Sequence, residues 1–170
     1  MLMLLLNLAE SNANLSNYKA DAALAFKNYS DTVFRIAFLR SGNTTDADDI
    51  MSEVFLRLIK NLHKIKSEEH LKSWLIRVTI NRSNSFFKKQ KRINQVRIVE
   101  CDAVYEMDEN SVLPQVMALP MHQKTVVFMH YFEGYSVEEI ATLCGVKAGT
   151  VKSRLSRARE ALKTTLKGEF

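Results

Sequence analysis

Four cationic side chains and two serines are concentrated in the segment TVKSRLSRARE, from Thr150 to Glu160. Arginine and lysine bind phosphate oxygens. Arginine, lysine and serine can all hydrogen-bond to base edges in the major groove of DNA. At about 100° per residue, the apolar residues of this segment share one face of a helix. The opposite face consists of Lys152, Ser153, Ser156, Arg157 and Glu160, with Arg154 and Arg159 at its edges where the phosphates of the groove walls would lie. The pattern favours a DNA-reading helix over a merely solvated one.

A second chemically dense segment, HLKSWLIRVTINRSNSFFKKQKR, begins at His70. Unpaired bases are bound by amides at their edges, by aromatic or guanidinium planes at their faces, and by cations along the backbone. The segment supplies all three kinds of group: Asn81 and Asn84; Trp74, Phe86 and Phe87; and Arg77, Arg82, Lys88, Lys89, Lys91 and Arg92. It is therefore predicted to bind melted DNA, with at least one of Phe86 and Phe87 assigned to the core instead.

A third cluster, DADDIMSEVFLRLIK, spans Asp46 to Lys60. Carboxylates near a helix N-terminus are favoured electrostatically, and this explains Asp46. A metal-dependent nuclease would need a further carboxylate or histidine group to complete a two-metal site, and the pattern offers none. Because Glu53 extends the acidic edge beside an apolar stripe, the segment is interpreted as a protein-docking face without metal.

Helices must position these residues, since apolar residues recur at helical spacing along most of the chain, as in Ile50, Val54, Leu58 and Leu62. Thr45 with Asp48 is taken as the start signal of the second cluster's helix. Ser136 and Glu139 predict a capping box, and Gly145 a left-handed helix end. The buried side of the intervening helix is predicted to be Val137, Ile140, Ala141 and Cys144. Together with the basic helix, this predicts a helix-turn-helix.

The fold is thus predicted to be all-α, with two small helical domains joined by an acidic linker and the helix-turn-helix in the C-terminal one. The predicted bounds are 1–97, a linker at 98–112, and 113–170. Residues 101–112 carry four acidic and no basic side chains, whereas residues 61–100 carry ten basic and three acidic ones. Such segregated basic segments indicate a polyanionic partner.

Two widely separated cysteines predict neither a disulfide framework nor a zinc site. The opening MLMLLLNLA is apolar, but it lacks a basic leader region and a cleavage signal and is far shorter than a membrane span. We expect a cytoplasmic protein without stable membrane insertion and without cofactors.

In order and motif, the chain resembles the extracytoplasmic-function (ECF) branch of bacterial RNA polymerase sigma factors over about residues 20–166. The resemblance implies docking on the beta-prime clamp of core RNA polymerase through Asp48, Asp49, Ser52, Glu53, Phe55 and Arg57. It implies contacts to the minus-ten promoter element through Trp74, Arg77, Asn81, Arg82, Asn84 and Lys88. It implies contacts to the minus-thirty-five element through Lys147, Thr150, Lys152, Ser153, Arg154, Ser156 and Arg157.

The implied partners are therefore core polymerase, at its beta-prime clamp and beta flap, promoter DNA, and an anti-sigma factor. The implied function is transcription initiation without catalysis by this chain. The alternative from the residues alone is a helix-turn-helix regulator that binds duplex DNA as a dimer without polymerase. A nuclease first domain is a further alternative, which metal-dependent cleavage lost in Asp48→Ala would reveal.

Overall fold

The structure, a computed structural model, describes the backbone of residues 15–92 and 112–167 and the side chains of residues 21–86, 112 and 114–165. The chain divides into two compact units, Met1–Val99 and Glu100–Phe170. Every regular element in the described ranges is helical, which confirms the all-α prediction. The predicted linker, apart from Val112, lies outside these ranges, as do Cys101 and the apolar opening segment.

The first unit is built from three helices that pack against one another, α1 (Leu15–Ser41), α2 (Thr44–Asn61) and α3 (Glu68–Arg92). A short 3-10 turn, Leu62–Lys64, follows α2. The predicted stripe of α2 is buried, and it meets apolar residues from both other helices. The core consists chiefly of Val33, Ile36 and Ala37 from α1; Ile50, Val54 and Leu58 from α2; and Leu75, Ile76 and Ile80 from α3.

The start of α2 differs from the sequence prediction. Asn43, in extended conformation, is the N-cap: its Oδ1 accepts from the Asp46 N–H at 2.8 Å, and its Nδ2 donates to Asp46 Oδ2 at 2.7 Å. Thr45 already lies inside the helix, so the predicted start signal at Thr45 and Asp48 is wrong. Gly42, at φ 84°, ends α1 and places Asn43 for this role. The Asn43 side chain thus caps the helix, and the contact back from Asp46 is made to the Asn43 side-chain amide rather than to its backbone N–H, as it would be in a capping box.

The second unit contains four α-helices in its described part: α4 (Leu113–Ala118), α5 (Met121–Val127), α6 (Val137–Cys144) and α7 (Ala148–Lys167). A π-helical segment, Phe128–Phe132, continues α5. Its core includes Val116, Val126, Met129, Ile140, Val151 and Leu155. Helices α5 and α6 both pack on α7, which fixes the orientation of the basic helix within this unit.

The helix-turn-helix is confirmed in detail. Ser136 Oγ accepts from the Glu139 N–H at 3.2 Å, and Glu139 Oε2 accepts from the Ser136 N–H at 2.8 Å, so the capping box is complete. Gly145 adopts φ 66°, and the next N–H, of Val146, bonds back to Ala141 O at 3.0 Å. One prediction is corrected: Leu143 is buried in α6, whereas Val137 and Cys144 are half-buried.

Replacing Gly145 with alanine is expected to destabilise the protein by about 1–2 kcal/mol, because a Cβ is strained in the left-handed region. The position is otherwise open, since a methyl group placed there would meet no atom within 4 Å. Gly149→Ala is the matched control. It is equally open but helical, so the same change should stabilise by up to about 1 kcal/mol. Chemical denaturation measures both, and equal effects at the two positions would contradict the explanation.

No helix within the described ranges has the length and apolar character required to cross a lipid bilayer.

Candidate nucleic-acid and protein interfaces

The basic helix α7 presents the predicted two-sided arrangement. Val151, Leu155 and Ala158 are buried against the unit's core. Lys152, Ser153 and Arg157 are exposed, and Arg154 and Ser156 are half-buried beside them. The outward face is therefore polar and cationic along its first three turns, the part of a recognition helix that contacts base edges.

The entry to α7 adds a further cation. Lys147 immediately precedes the helix, is exposed, and its carbonyl accepts from the N–H groups of Thr150 at 2.9 Å and Val151 at 3.3 Å. It therefore adds a positive charge at the helix N-terminus, and the half-buried Thr150 follows one turn later. Among the described residues, none of Lys147, Lys152, Arg154 and Arg157 is in an ion pair, so these charges are available for phosphate or base contacts.

On α3, four residues spaced by one turn form an exposed polar stripe, which we call the α3 stripe: Ser73, Arg77, Asn81 and Ser85. At about 100° per residue, Trp74 and Asn84 flank this stripe on the same side of the helix. Both are half-buried. The helix position of Lys88 is on this side too, although its side chain lies outside the description. The structure thus brings five of the six predicted minus-ten residues to one face.

Two small polar residues of α3, Ser83 and Thr79, are interior. Ser83 is fully buried and its Oγ donates to Thr79 O at 2.8 Å, while the buried Thr79 Oγ1 donates to Leu75 O at 2.8 Å. Each hydroxyl is satisfied within its own helix. The weak helix formers around Asn81 therefore occur for two separate reasons. Ser83 is small enough for the helix packing interface, whereas Asn81 and Ser85 are exposed on the α3 stripe.

Arg82, the sixth predicted minus-ten residue, does not face the α3 stripe. Its Nη2 forms an ion pair with Glu53 Oε2 of α2. Glu53 was assigned to polymerase docking and Arg82 to DNA, so the structure joins two residues predicted for different partners. The pair is partly exposed, and such pairs contribute about 1 kcal/mol or less. The pair holds α3 against α2, between the predicted docking face of α2 and the α3 stripe.

Asn84 is also engaged within the unit. Its Oδ1 accepts a hydrogen bond from Arg40 Nη2 of α1 at 2.6 Å, and Arg40 is only 4% exposed. The amide of Asn84 is therefore fixed on one side by a buried guanidinium. Asn81, in contrast, is exposed, and its side chain forms no hydrogen bond with a described residue.

Most residues that were predicted to form the docking face of α2 are exposed, with one exception. Asp48, Asp49, Glu53 and Arg57 are exposed, and Ser52 is half-buried with its Oγ donating to Asp48 O at 2.7 Å. Phe55, however, is 2% exposed and lies edge-on to Phe26 with ring centroids 4.9 Å apart. Its side chain belongs to the core, so its direct contact with polymerase is withdrawn.

Sequence reasoning missed Leu56, Tyr131 and Phe132, which are three of the exposed apolar residues in the described ranges. Leu56 is 37% exposed and lies one turn beyond Ser52 on the acidic face of α2. Tyr131 and Phe132, at the end of the π-helical segment, are each 55% exposed. Leu56 is off the buried stripe of α2 and was detectable on that ground. The aromatic pair was not, because its run TVVFMHYF is apolar without a clear period.

No group of three or more histidine, cysteine or acidic residues that could hold a metal ion occurs in the described ranges. His130 has its Nδ1 2.9 Å from Tyr135 O and helps to close the turn after the π-helical segment.

Comparison with known proteins assigns both units. The family models of sigma-70 region 2 and sigma-70 region 4 match residues 25–93 and 112–162. The RNA polymerase sigma factor HrpL of Pseudomonas syringae pv. syringae is 30% identical over 138 residues, covering 73% of this chain and 75% of that protein. The ECF RNA polymerase sigma factor SigW of Bacillus subtilis is 26% identical over 159 residues, covering 82% of this chain and 85% of its own length.

Among solved structures, the sigma factor RpoE of Bartonella quintana, crystallised with the anti-sigma factor NepR, has a similar fold. The TM-score is 0.71 at 24% identity, covering 89% of this chain and 97% of that one. The sequence matches span both helical units and include the α3 stripe and the helix-turn-helix. The chain therefore belongs to the ECF branch of the sigma-70 family of RNA polymerase sigma factors.

Proposed function

We propose that this sigma factor docks on core RNA polymerase through α2, holds the melted minus-ten strand on the α3 stripe, and reads the minus-thirty-five duplex with α7. The observation that carries the proposal is the grouping of one amide, one guanidinium and a flanking indole along one exposed face of α3. Such a face suits bases that are no longer stacked or paired, because it offers hydrogen bonds, charge and an aromatic plane together.

Asn81 is proposed as the central base contact of this face. Its side chain is exposed, and an unengaged amide can donate and accept at a base edge. Extruding a base costs a few kcal/mol, which stacking and hydrogen bonds must offset. Arg77, one turn earlier and exposed, supplies a charge for the strand's phosphates, and Trp74 supplies a plane. Polymerase must contribute the rest of the melting energy, since one small helical unit has too little surface.

Helix α7 is proposed to lie in the major groove. Lys152, Ser153, Ser156 and Arg157 would face base edges, and Arg154 with Arg159 would contact the phosphates on the two walls. Lys147 and Thr150 would contact the backbone at the helix N-terminus, where oriented N–H groups favour anions. The absence of ion pairs at Lys147, Lys152, Arg154 and Arg157 within the described ranges supports this, because no internal contact has to be broken on binding.

The docking surface on α2 is proposed to consist of Asp48, Asp49, Ser52 and Arg57, with Leu56 added from the structure. A leucine surrounded by carboxylates fits a partner surface that is apolar at its centre and basic at its rim. Glu53 would remain with Arg82 at the edge. On the second unit, Tyr131 and Phe132 are proposed as the apolar contact to the polymerase beta flap, since exposed aromatic pairs are typical of protein interfaces.

Three further features belong to the same proposal. The chain acts without catalysis of its own, with polymerase performing the chemistry. It acts in the cytoplasm, where polymerase and promoter DNA are found. It is held inactive by an anti-sigma factor, a proposal supported by the fold it shares with the sigma factor crystallised with NepR.

The decisive test is reconstitution with core polymerase on fragmented genomic DNA, followed by mapping of transcript 5′ ends. We expect a limited set of starts that share a minus-ten and a minus-thirty-five sequence element upstream. Core polymerase alone is the control. No transcripts above that control would overturn the proposal, and a footprint on two half-sites without polymerase would indicate the dimeric regulator instead.

A further inference from the structure

Arg40 lies in the last turn of α1, is buried, and contacts the C-terminal half of α3. Its Nη2 donates to Asn84 Oδ1 at 2.6 Å across forty-four residues of chain. Arginine is always protonated and has five donors and no acceptor, so only the oxygen of an amide can face it. The orientation of the Asn84 amide therefore follows from chemistry: its oxygen points inward and its NH₂ group points outward.

We propose that Arg40 is a positioning residue for DNA recognition, which makes Asn84 a donor-only contact beside Asn81. The inference rests on the proposed function, because it requires that this face of α3 meets the melted strand. An ordinary asparagine can turn its amide and pair with either a donor or an acceptor. Asn84 cannot do so without leaving its NH₂ group against the guanidinium, which would place two donors in contact.

As a consequence, Asn81 and Asn84 have different hydrogen-bonding roles on the same face of α3. Asn81 is exposed and free to turn, so it adapts to donors and acceptors alike. Asn84 is half-buried and fixed, so it can only donate. It binds groups that receive a hydrogen bond: ring nitrogens, carbonyl oxygens or phosphate oxygens. At its position the exocyclic amino groups of adenine and cytosine are disfavoured. Arg40 thereby shapes base preference without touching DNA.

The test compares Arg40→Gln, Arg40→Lys and Asn84→Ala in the reconstituted holoenzyme. The probe is one mapped promoter and a panel in which each minus-ten base is replaced in turn, with open complexes scored by permanganate reactivity. Asn84→Ala is expected to reduce the preference at one position by about five- to tenfold, the effect of losing a specific base hydrogen bond. Arg40→Gln should flatten preference at the same position, because glutamine can face either end of the amide.

Arg40→Lys is the conservative control. Lysine also has donors only, so it should retain the parental base preference. The double variant Arg40→Gln with Asn84→Ala should be no worse than Asn84→Ala alone, since residues that act through one contact are non-additive. A purely structural role for Arg40 predicts instead an equal loss at every promoter and additive effects.

Folding is followed separately by thermal melting. Should Arg40→Gln melt below the assay temperature, Asn84→Asp carries the test. The carboxylate still accepts from Arg40 but offers no outward donor, so it should melt like the parent and lose the base preference. Asn28→Asp, the same change at an exposed position of α1 away from the α3 stripe, is its charge-matched control and should keep the preference.

The outcomes separate the two proposals. If the parental holoenzyme opens no promoter, the proposed function fails and this inference fails with it. If the parent opens promoters but Asn84→Ala or Arg40→Gln leaves every base preference unchanged, the inference alone is overturned.

Discussion

Asn81→Ala is expected to lower the rate of open-complex formation by about 10- to 100-fold, the equivalent of ~1–3 kcal/mol for the loss of a bidentate base contact. Affinity for core polymerase should stay within about twofold, because the side chain is exposed on α3 and forms no hydrogen bond with a described residue. Stopped-flow fluorescence on a promoter labelled in the minus-ten element measures the first quantity. Competition for labelled core polymerase measures the second.

Ser85→Ala is the matched control for this variant. Ser85 is also exposed on the α3 stripe, one turn beyond Asn81, but its hydroxyl already donates to Asn81 O at 3.1 Å within the helix. Its removal should change neither rate nor affinity. An equal loss of open-complex rate and polymerase affinity in Asn81→Ala would contradict the assignment of Asn81 to DNA.

Arg157→Ala is expected to weaken holoenzyme binding to the minus-thirty-five element by about 5- to 100-fold, since one specific arginine–base contact contributes ~1–3 kcal/mol. A base contact should also relax the sequence preference at one position of the element. A phosphate contact would instead weaken all sequences alike and reduce the salt dependence of log K by about one unit. Titrations on promoter variants at several salt concentrations distinguish the two.

Lys163→Ala controls for loss of positive charge on the same helix. Lys163 is exposed but lies nearly two turns further from the start of α7, beyond the part of a recognition helix that enters the groove. It should reduce affinity only slightly and leave sequence preference unchanged. If Lys163→Ala relaxed the sequence preference, or if Arg157→Ala retained it, the residues that contact base edges would have to lie elsewhere on α7.

The helix-turn-helix could be predicted from sequence because its determinants are local. Ser136 and Glu139 are three residues apart, and Gly145 acts through its own φ angle, so neither depends on distant contacts. The buried side of α7 follows from helical period in the same way. The start of α2 was missed although it is local too, because two capping signals overlap at Asn43 and Thr45 and only backbone conformation decides between them.

The remaining differences come from contacts between helices, which no period reveals. Arg40 looks like an ordinary basic residue at a helix end, yet it is buried and bonded to Asn84. Ser83 is polar but interior. In each case, the position of a second helix, not the residue type, determines the role.

The ion pair between Glu53 and Arg82 affects how α3 can be exchanged between sigma factors and how positions 53 and 82 vary among relatives. One route to a sigma factor with a new promoter preference is to exchange α3, the helix proposed to face DNA, between relatives. Here α3 carries one half of a charge pair whose other half is on α2, the helix proposed to dock on polymerase. A chimaera that takes α3 alone from a relative with an uncharged residue at position 82 leaves Glu53 without its counter-charge beside the proposed docking surface. Positions 53 and 82 should therefore be transferred, and are expected to vary, as a unit.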